Sequence, residues 1–156
     1  MELPRKMYFE DIQVGDTFQT VGRTITEADI VAFAGLTGDY NLIHTNAEVA
    51  KNSIAGQRMA HGMLVMSISN GLITRSAYYM GITEAITALT SVEQHKFKKP
   101  VVIGDTIHVD VEIAEAVDAR PESGSAKVVL RRSIVNQRGQ VVQEGTYAIL
   151  VKKRGA

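Results

Sequence analysis

Cysteine is absent from the 156-residue chain. Its absence excludes a disulfide framework, a thiolate nucleophile and any cysteine-bound zinc. Net charge is missing too, since Lys+Arg and Asp+Glu total 17 each. No global field therefore draws the protein to nucleic acid or to an anionic membrane surface. No uninterrupted apolar run approaches the roughly 18 residues of a membrane span. The opening residues, "MELPRKMYFEDIQVGD", also lack the apolar core of a signal peptide, so a cytoplasmic location is the expectation. What is present is ordinary globular composition, 45% hydrophobic and 22% charged. The length suits one domain over residues 1–156 that buries its own core.

The first half reads as helices and loops, the second as strands. Thr26 is placed as an N-cap, with Asp29 completing a capping box. Ile30 and Phe33 share one face of the helix that follows, and Gly35 suits its exit. From Gly62 to Gly81, "GMLVMSISNGLITRSAYYMG" sets Leu64, Ile68 and Leu72 four residues apart, with Val65, Met66 and Ile73 beside them. That pattern predicts a long helix buried on most sides. After Gly81 the period changes to two: Ile107, Val109, Val111 and Ile113 alternate with His108, Asp110 and Glu112. "ALTSVEQHKFKKP" precedes this strand and ends at Pro100, while "AKVVLRRSIVN" and "VVQEGTYAILVKK" follow it. Arg138-Gly139 marks the hairpin between the last two. "VGDTF" at Val14 and "IGDTI" at Ile103 echo each other as turns entering strands. The expected fold class is α+β, an antiparallel sheet of about five strands wrapped around one long helix. Its open edges favour pairing with a second copy, so a homodimer or a dimer of dimers is expected.

"GLTGDYNLIHTN", Gly35 to Asn46, crowds polar groups into what reads as a turn or loop. Asp and Asn commonly serve there as turn formers. His44 and Glu48 have i, i+4 spacing, yet the sequence offers no third metal ligand nearby, so no metal site is expected. His61 is read as a structural residue flanking the long helix, and His95 and His108 as ordinary sheet residues. Lys96, Lys98 and Lys99 can form a solvated face or meet phosphates. Met59, Met63 and Met66 can fill the core or line an acyl tunnel.

Gly38-Asp39-Tyr40-Asn41-Leu42-Ile43-His44, together with His61-Gly62-Met63 in "AHGMLVMSISNG", resembles the MaoC-like hydratases and dehydratases of the hotdog fold. The resemblance runs from "YFEDIQVGD" through "FKKPVVIGDTI" to the last strand. It implies addition of water to trans-2-enoyl thioesters to give the (R)-3-hydroxyacyl product, or the reverse dehydration, with no cofactor. Asp39 and His44 become the catalytic pair on this resemblance. The thioester substrate is carried by coenzyme A or by an acyl carrier protein. Such chemistry needs a water activated near C3, a proton for C2, and a stabilised enolate oxygen. A carboxylate and an imidazole on one water can serve the first two, free imidazole titrating at about 6.5. The N-terminus of the long helix can serve the third, with Gly62 leaving room at its N–H and Met63 supplying the next one. Asn41 is expected to hold the loop by backbone hydrogen bonds beside the substrate. Two positions depart from the family pattern: Leu42 replaces a proline, and Asn70 replaces a serine that supports the site. The same fold also hosts thioesterases and non-catalytic acyl-binding or scaffolding subunits.

Overall fold

Four twelve-residue strands carry the alternating stretches: β3 (Ile86–Phe97), β4 (Thr106–Val117), β5 (Ser125–Asn136) and β6 (Val141–Lys152). The computed structural model describes residues 5–156. The first four residues of the N-terminal stretch discussed above lie outside that range. Successive side chains of a strand point to opposite faces, so Ile107, Val109, Val111 and Ile113 all enter the core while Asp110 stays exposed. Val128, Leu130 and Ile134 do the same from β5. The order in the sheet is β1-β4-β5-β6-β3, where β1 is Thr17–Gln19, and the described pairings are antiparallel. A two-residue strand, β2 (Arg23–Thr24), also pairs with β4. It brings the sheet to six strands where about five are expected.

The echoed turns share their geometry. Gly15 has φ 92° and Gly104 φ 93°, a left-handed backbone that glycine accepts without penalty. The hairpin falls where Arg138-Gly139 places it, and the side-chain oxygen of Asn136 accepts from the N–H groups of Arg138 and Gln140.

Helix α1 (Glu27–Thr37) starts as expected: the Thr26 side chain accepts from Asp29 N–H, and the Asp29 carboxylate accepts from Thr26 N–H. Its exit is a correction. Gly35 stays inside the helix, and Gly38 ends it with φ 76°, donating its N–H to the Ala34 carbonyl at 2.8 Å. Two single-turn helices follow, α2 (Leu42–Thr45) and α3 (Ala47–Ala50). The expected 62–81 helix is likewise two pieces, α4 (Gly62–Thr74) and α5 (Ala77–Ile82). Ser76 makes the break. Its hydroxyl donates to the Ile73 carbonyl and accepts from Tyr79 N–H, so a side chain takes hydrogen bonds that a continuing backbone would have made. Leu64, Val65, Leu72 and Ile73 of α4 are buried in the core with the strand residues named above. Among the described residues no helix is long and apolar enough to cross a membrane.

Candidate active site

The segment between α1 and α2 is short, and it carries Asp39 and Asn41. Asn41 caps α2, its side-chain oxygen accepting from Ile43 N–H at 3.2 Å, while its own N–H donates to Asp39 Oδ1 at 3.2 Å. His44 sits within the single turn that Asn41 caps, and its ring is 8% exposed. Its Nδ1 lies 2.8 Å from the carbonyl oxygen of Met59. A carbonyl only accepts, so Nδ1 carries the proton and Nε2 presents a lone pair.

His61, 2% exposed, is the residue immediately before α4. Its ring lies against that of His44 with centroids 3.8 Å apart, and its Nε2 donates to the backbone carbonyl of Asp39 at 2.9 Å. It thereby ties the Asp39 loop to the start of the central helix. One donor atom from each of Asp39, His44 and His61 lies within 4.8 Å of the others. The third metal-type ligand missed in the sequence is therefore supplied by His61, not by Glu48, which is exposed and paired with Lys51 at 2.7 Å. Two imidazoles and a carboxylate are a donor set that also suits zinc.

A cavity of about 470 Å³ opens beside this cluster, lined by His44, Met59, Gly62, Met63, Phe97 and Gln143 among others. Of the expected site residues, His44, Gly62 and Met63 line it, and exposed Asp39 stands beside it. Asn41 does not line it, because its side chain is spent on capping α2. Asn70 does not line it either. It lies eight residues along α4 from Gly62 and borders a second, smaller cavity. Met59 and Met63 line the larger cavity, whereas Met66 does not. Lys98 and Lys99 line it just beyond β3, and Lys98 is tied to Glu144 at 3.1 Å.

The space over Gly62 is also accounted for differently. A Cβ placed there would lie 2.7 Å from two ring atoms of Phe97. The missing side chain makes room for Phe97, whose side chain is itself 56% exposed at the mouth of the cavity. Gln143 and His95 join the site unforeseen. Gln143 Nε2 donates to the Gly62 carbonyl at 3.0 Å, and its oxygen accepts from His95 Nε2 at 2.9 Å. Nothing in the sequence tied Gln143 to the start of α4.

Comparisons with known proteins place the chain in a family. The family model described as "MaoC like domain" matches residues 11–134. An (R)-specific enoyl-CoA hydratase from Rhodospirillum rubrum is 35% identical over 148 residues, 95% of this chain and 94% of that protein. Protein MaoC from Klebsiella aerogenes is 41% identical over 106 residues, which is 68% of this chain and 30% of that longer protein. The chain thus matches only a fraction of this relative's length. A solved structure from Archaeoglobus fulgidus, described as a monoamine oxidase regulatory protein, aligns with a TM-score of 0.90 at 35% identity, covering 98% of this chain and 99% of that one. A Mycobacterium tuberculosis protein described as a double hotdog fold aligns at 0.82 and 17% identity, over 96% of this chain and 45% of that one, and bears on the fold alone. The chain belongs to the MaoC-like dehydratase family, and its fold is the hotdog fold.

Proposed function

We propose that the protein is a hydro-lyase, adding water to trans-2-enoyl thioesters to give (R)-3-hydroxyacyl thioesters or running the reverse dehydration. The observation that carries this reading is His44, its Nε2 lone pair set by the Met59 carbonyl, with the Asp39 carboxylate close by and an apolar cavity alongside. In hydration a water held between Asp39 and His44 Nε2 gives a proton to this pair as its oxygen bonds to C3. The π electrons move onto the thioester, and C2 then takes a proton from the pair. The first-turn N–H groups of α4 have no intrahelical acceptor and face developing negative charge on the thioester oxygen. The relative from Rhodospirillum rubrum, named (R)-specific enoyl-CoA hydratase, supports the stereochemistry. Coenzyme A or acyl carrier protein bears the acyl group, with Lys99 at the cavity as a cation for its phosphates.

The proposal includes a second copy of the chain. β3 is an edge strand on which Leu89, Val92 and Phe97 are exposed, and an unpaired edge with apolar side chains favours pairing. Sedimentation as a monomer at micromolar concentration counts against this part. For the reaction, crotonyl-CoA is mixed with the protein, and loss of enoyl absorbance is followed together with release of free thiol. Enoyl loss without thiol release is expected, with no signal from an (S)-specific 3-hydroxyacyl-CoA dehydrogenase. Thiol release would instead identify a thioesterase, and no reaction a binding subunit. Loss of turnover with EDTA, restored by zinc, would replace the shared water by a metal-bound one.

A further inference from the structure

The core face of β5 is built from Ala126, Val128, Leu130, Arg132 and Ile134. Four of the five are apolar; the other is a cation. Arg132 is 1% exposed, yet among the described residues Nε and both terminal nitrogens of its guanidinium find no hydrogen-bonding partner. Tyr147 offers it the face of its ring, 3.1 Å from centroid to guanidinium carbon, which favours a cation without accepting its hydrogen bonds. Burial lowers the Arg132 pKa to about 10, the nearby Tyr147 and Tyr79 opposing the shift, so the group is charged at neutral pH. A desolvated, unpaired cation is costly to keep in a core.

The guanidinium borders a cavity of about 80 Å³, whose wall includes Asn70, Ile73, Tyr79, Leu89 and Tyr147. None of the residues lining it is acidic. At about 30 Å³ per water, this volume suits a carboxylate with a methylene. A planar guanidinium matches a carboxylate with two parallel hydrogen bonds. The position of the cavity suggests where that carboxylate comes from. Asn70 lies eight residues along α4 from Gly62, about 12 Å at the helical rise. Tyr147 lies four residues along β6 from Gln143, about 13 Å at the strand rise. Gly62 and Gln143 line the catalytic cavity, while Asn70 and Tyr147 line this one. Both cavities thus lie along one helix and one strand, so an acyl chain laid from the start of α4 between these layers would reach Arg132.

We propose that Arg132 binds a carboxylate at the far end of the acyl chain, so that the preferred substrates are thioesters of medium-chain dicarboxylic acids. The proposal rests on the hydro-lyase reading for the position of the thioester. Asn70, an exposed residue that borders the same cavity, can offer that carboxylate a second donor.

The test compares kcat/KM for trans-2-enoyl-CoAs of roughly six to ten carbons, a span set by the helical distance above, with ω-carboxy counterparts of equal length. Wild type and Arg132→Met are measured with both series, and each protein is melted with and without adipate, acetate or chloride. Wild type is expected to prefer the ω-carboxy series by on the order of 100-fold, and Arg132→Met to reverse that preference. Removing a buried charge without a partner should also raise the melting temperature of the variant by a few degrees in the absence of anion. Equal rates for the two series in wild type overturn the proposal. So does stabilisation by chloride or acetate alone, which marks a general anion site. An Arg132→Met variant that melts lower or dissociates overturns it too, because a protein carboxylate would then be the partner. If no thioester of either series is hydrated, the hydro-lyase reading fails separately. Adipate must then stabilise wild type and leave Arg132→Met unmoved, or the carboxylate site fails as well.

Discussion

At His44 the carbonyl of Met59 fixes the tautomer, and the capped turn of α2 fixes the ring, so Nε2 and the Asp39 carboxylate can reach one water. Asp39→Asn removes the acceptor charge and His44→Ala removes the base. Each is expected to lower kcat by about 10²–10⁴, the usual contribution of a positioned acid or base. On the proposed mechanism both act on the same water, so the double variant should be scarcely slower than the slower single variant. Additive losses measured in the same hydration assay would exclude a shared water, and a single variant with near-normal turnover would remove that residue from the mechanism. That Asp39 and His44 lie close together was legible in the sequence, since the resembled motif holds them five residues apart. His61 was legible as part of that motif but not in its action, since its bond to the Asp39 carbonyl spans 22 residues. Arg132 gave a signal of its own, a charge in phase with Val128, Leu130 and Ile134. The cavity beside it could not be read, because it depends on how α4 and three strands pack together.

The elements around the site show why Leu42, where the family has proline, leaves the loop ordered. Leu42 is the first residue of α2, a position where an N–H has no helical partner and proline fits. Asn41 before it already has φ −53° and ψ 135°, the extended backbone that a following proline demands. Leu42 is also half exposed. Leu42→Pro should therefore stabilise the protein by about 0.4–1 kcal/mol, by restricting the unfolded chain, with turnover retained. Chemical denaturation of both proteins checks this. A destabilised variant would mean that the loop holds its shape through the Leu42 side chain. The strands were legible, and for β4 the faces too, because the period of two is strict from Ile107 to Ile113. Helix ends were less so. Gly35 reads as the exit, whereas the left-handed φ of Gly38 puts the end of the helix three residues later. The break at Ser76 depends on a hydroxyl that a periodicity argument does not see.

For the molecule as a whole, balanced charge leaves acid stability to individual carboxylates, and among the described residues Asp105 is the buried one. It follows the Gly104 turn at the entry to β4, almost wholly buried, and accepts from Val102 N–H, from Gln137 and from Arg138. It thereby ties the start of β4 to the hairpin that joins β5 and β6. Burial alone would raise its pKa; the bonds from Val102, Gln137 and Arg138 outweigh burial and hold the carboxyl below its ordinary value. A carboxyl depressed on folding binds protons more readily in the unfolded chain. Its stabilisation is therefore fully present above the unfolded value, about 3.9 for aspartate, and is lost as pH falls through the lower folded value. Asp105→Asn should cost about 2 kcal/mol at pH 7, the scale of a hydrogen bond to a charged group. That gap should stay constant from neutrality down to about pH 5 and close on further acidification, as wild type loses what the variant never had. Urea unfolding of both proteins across this range measures it directly. A gap that persists unchanged into strong acid would show that the Asp105 contacts act through shape and not through charge.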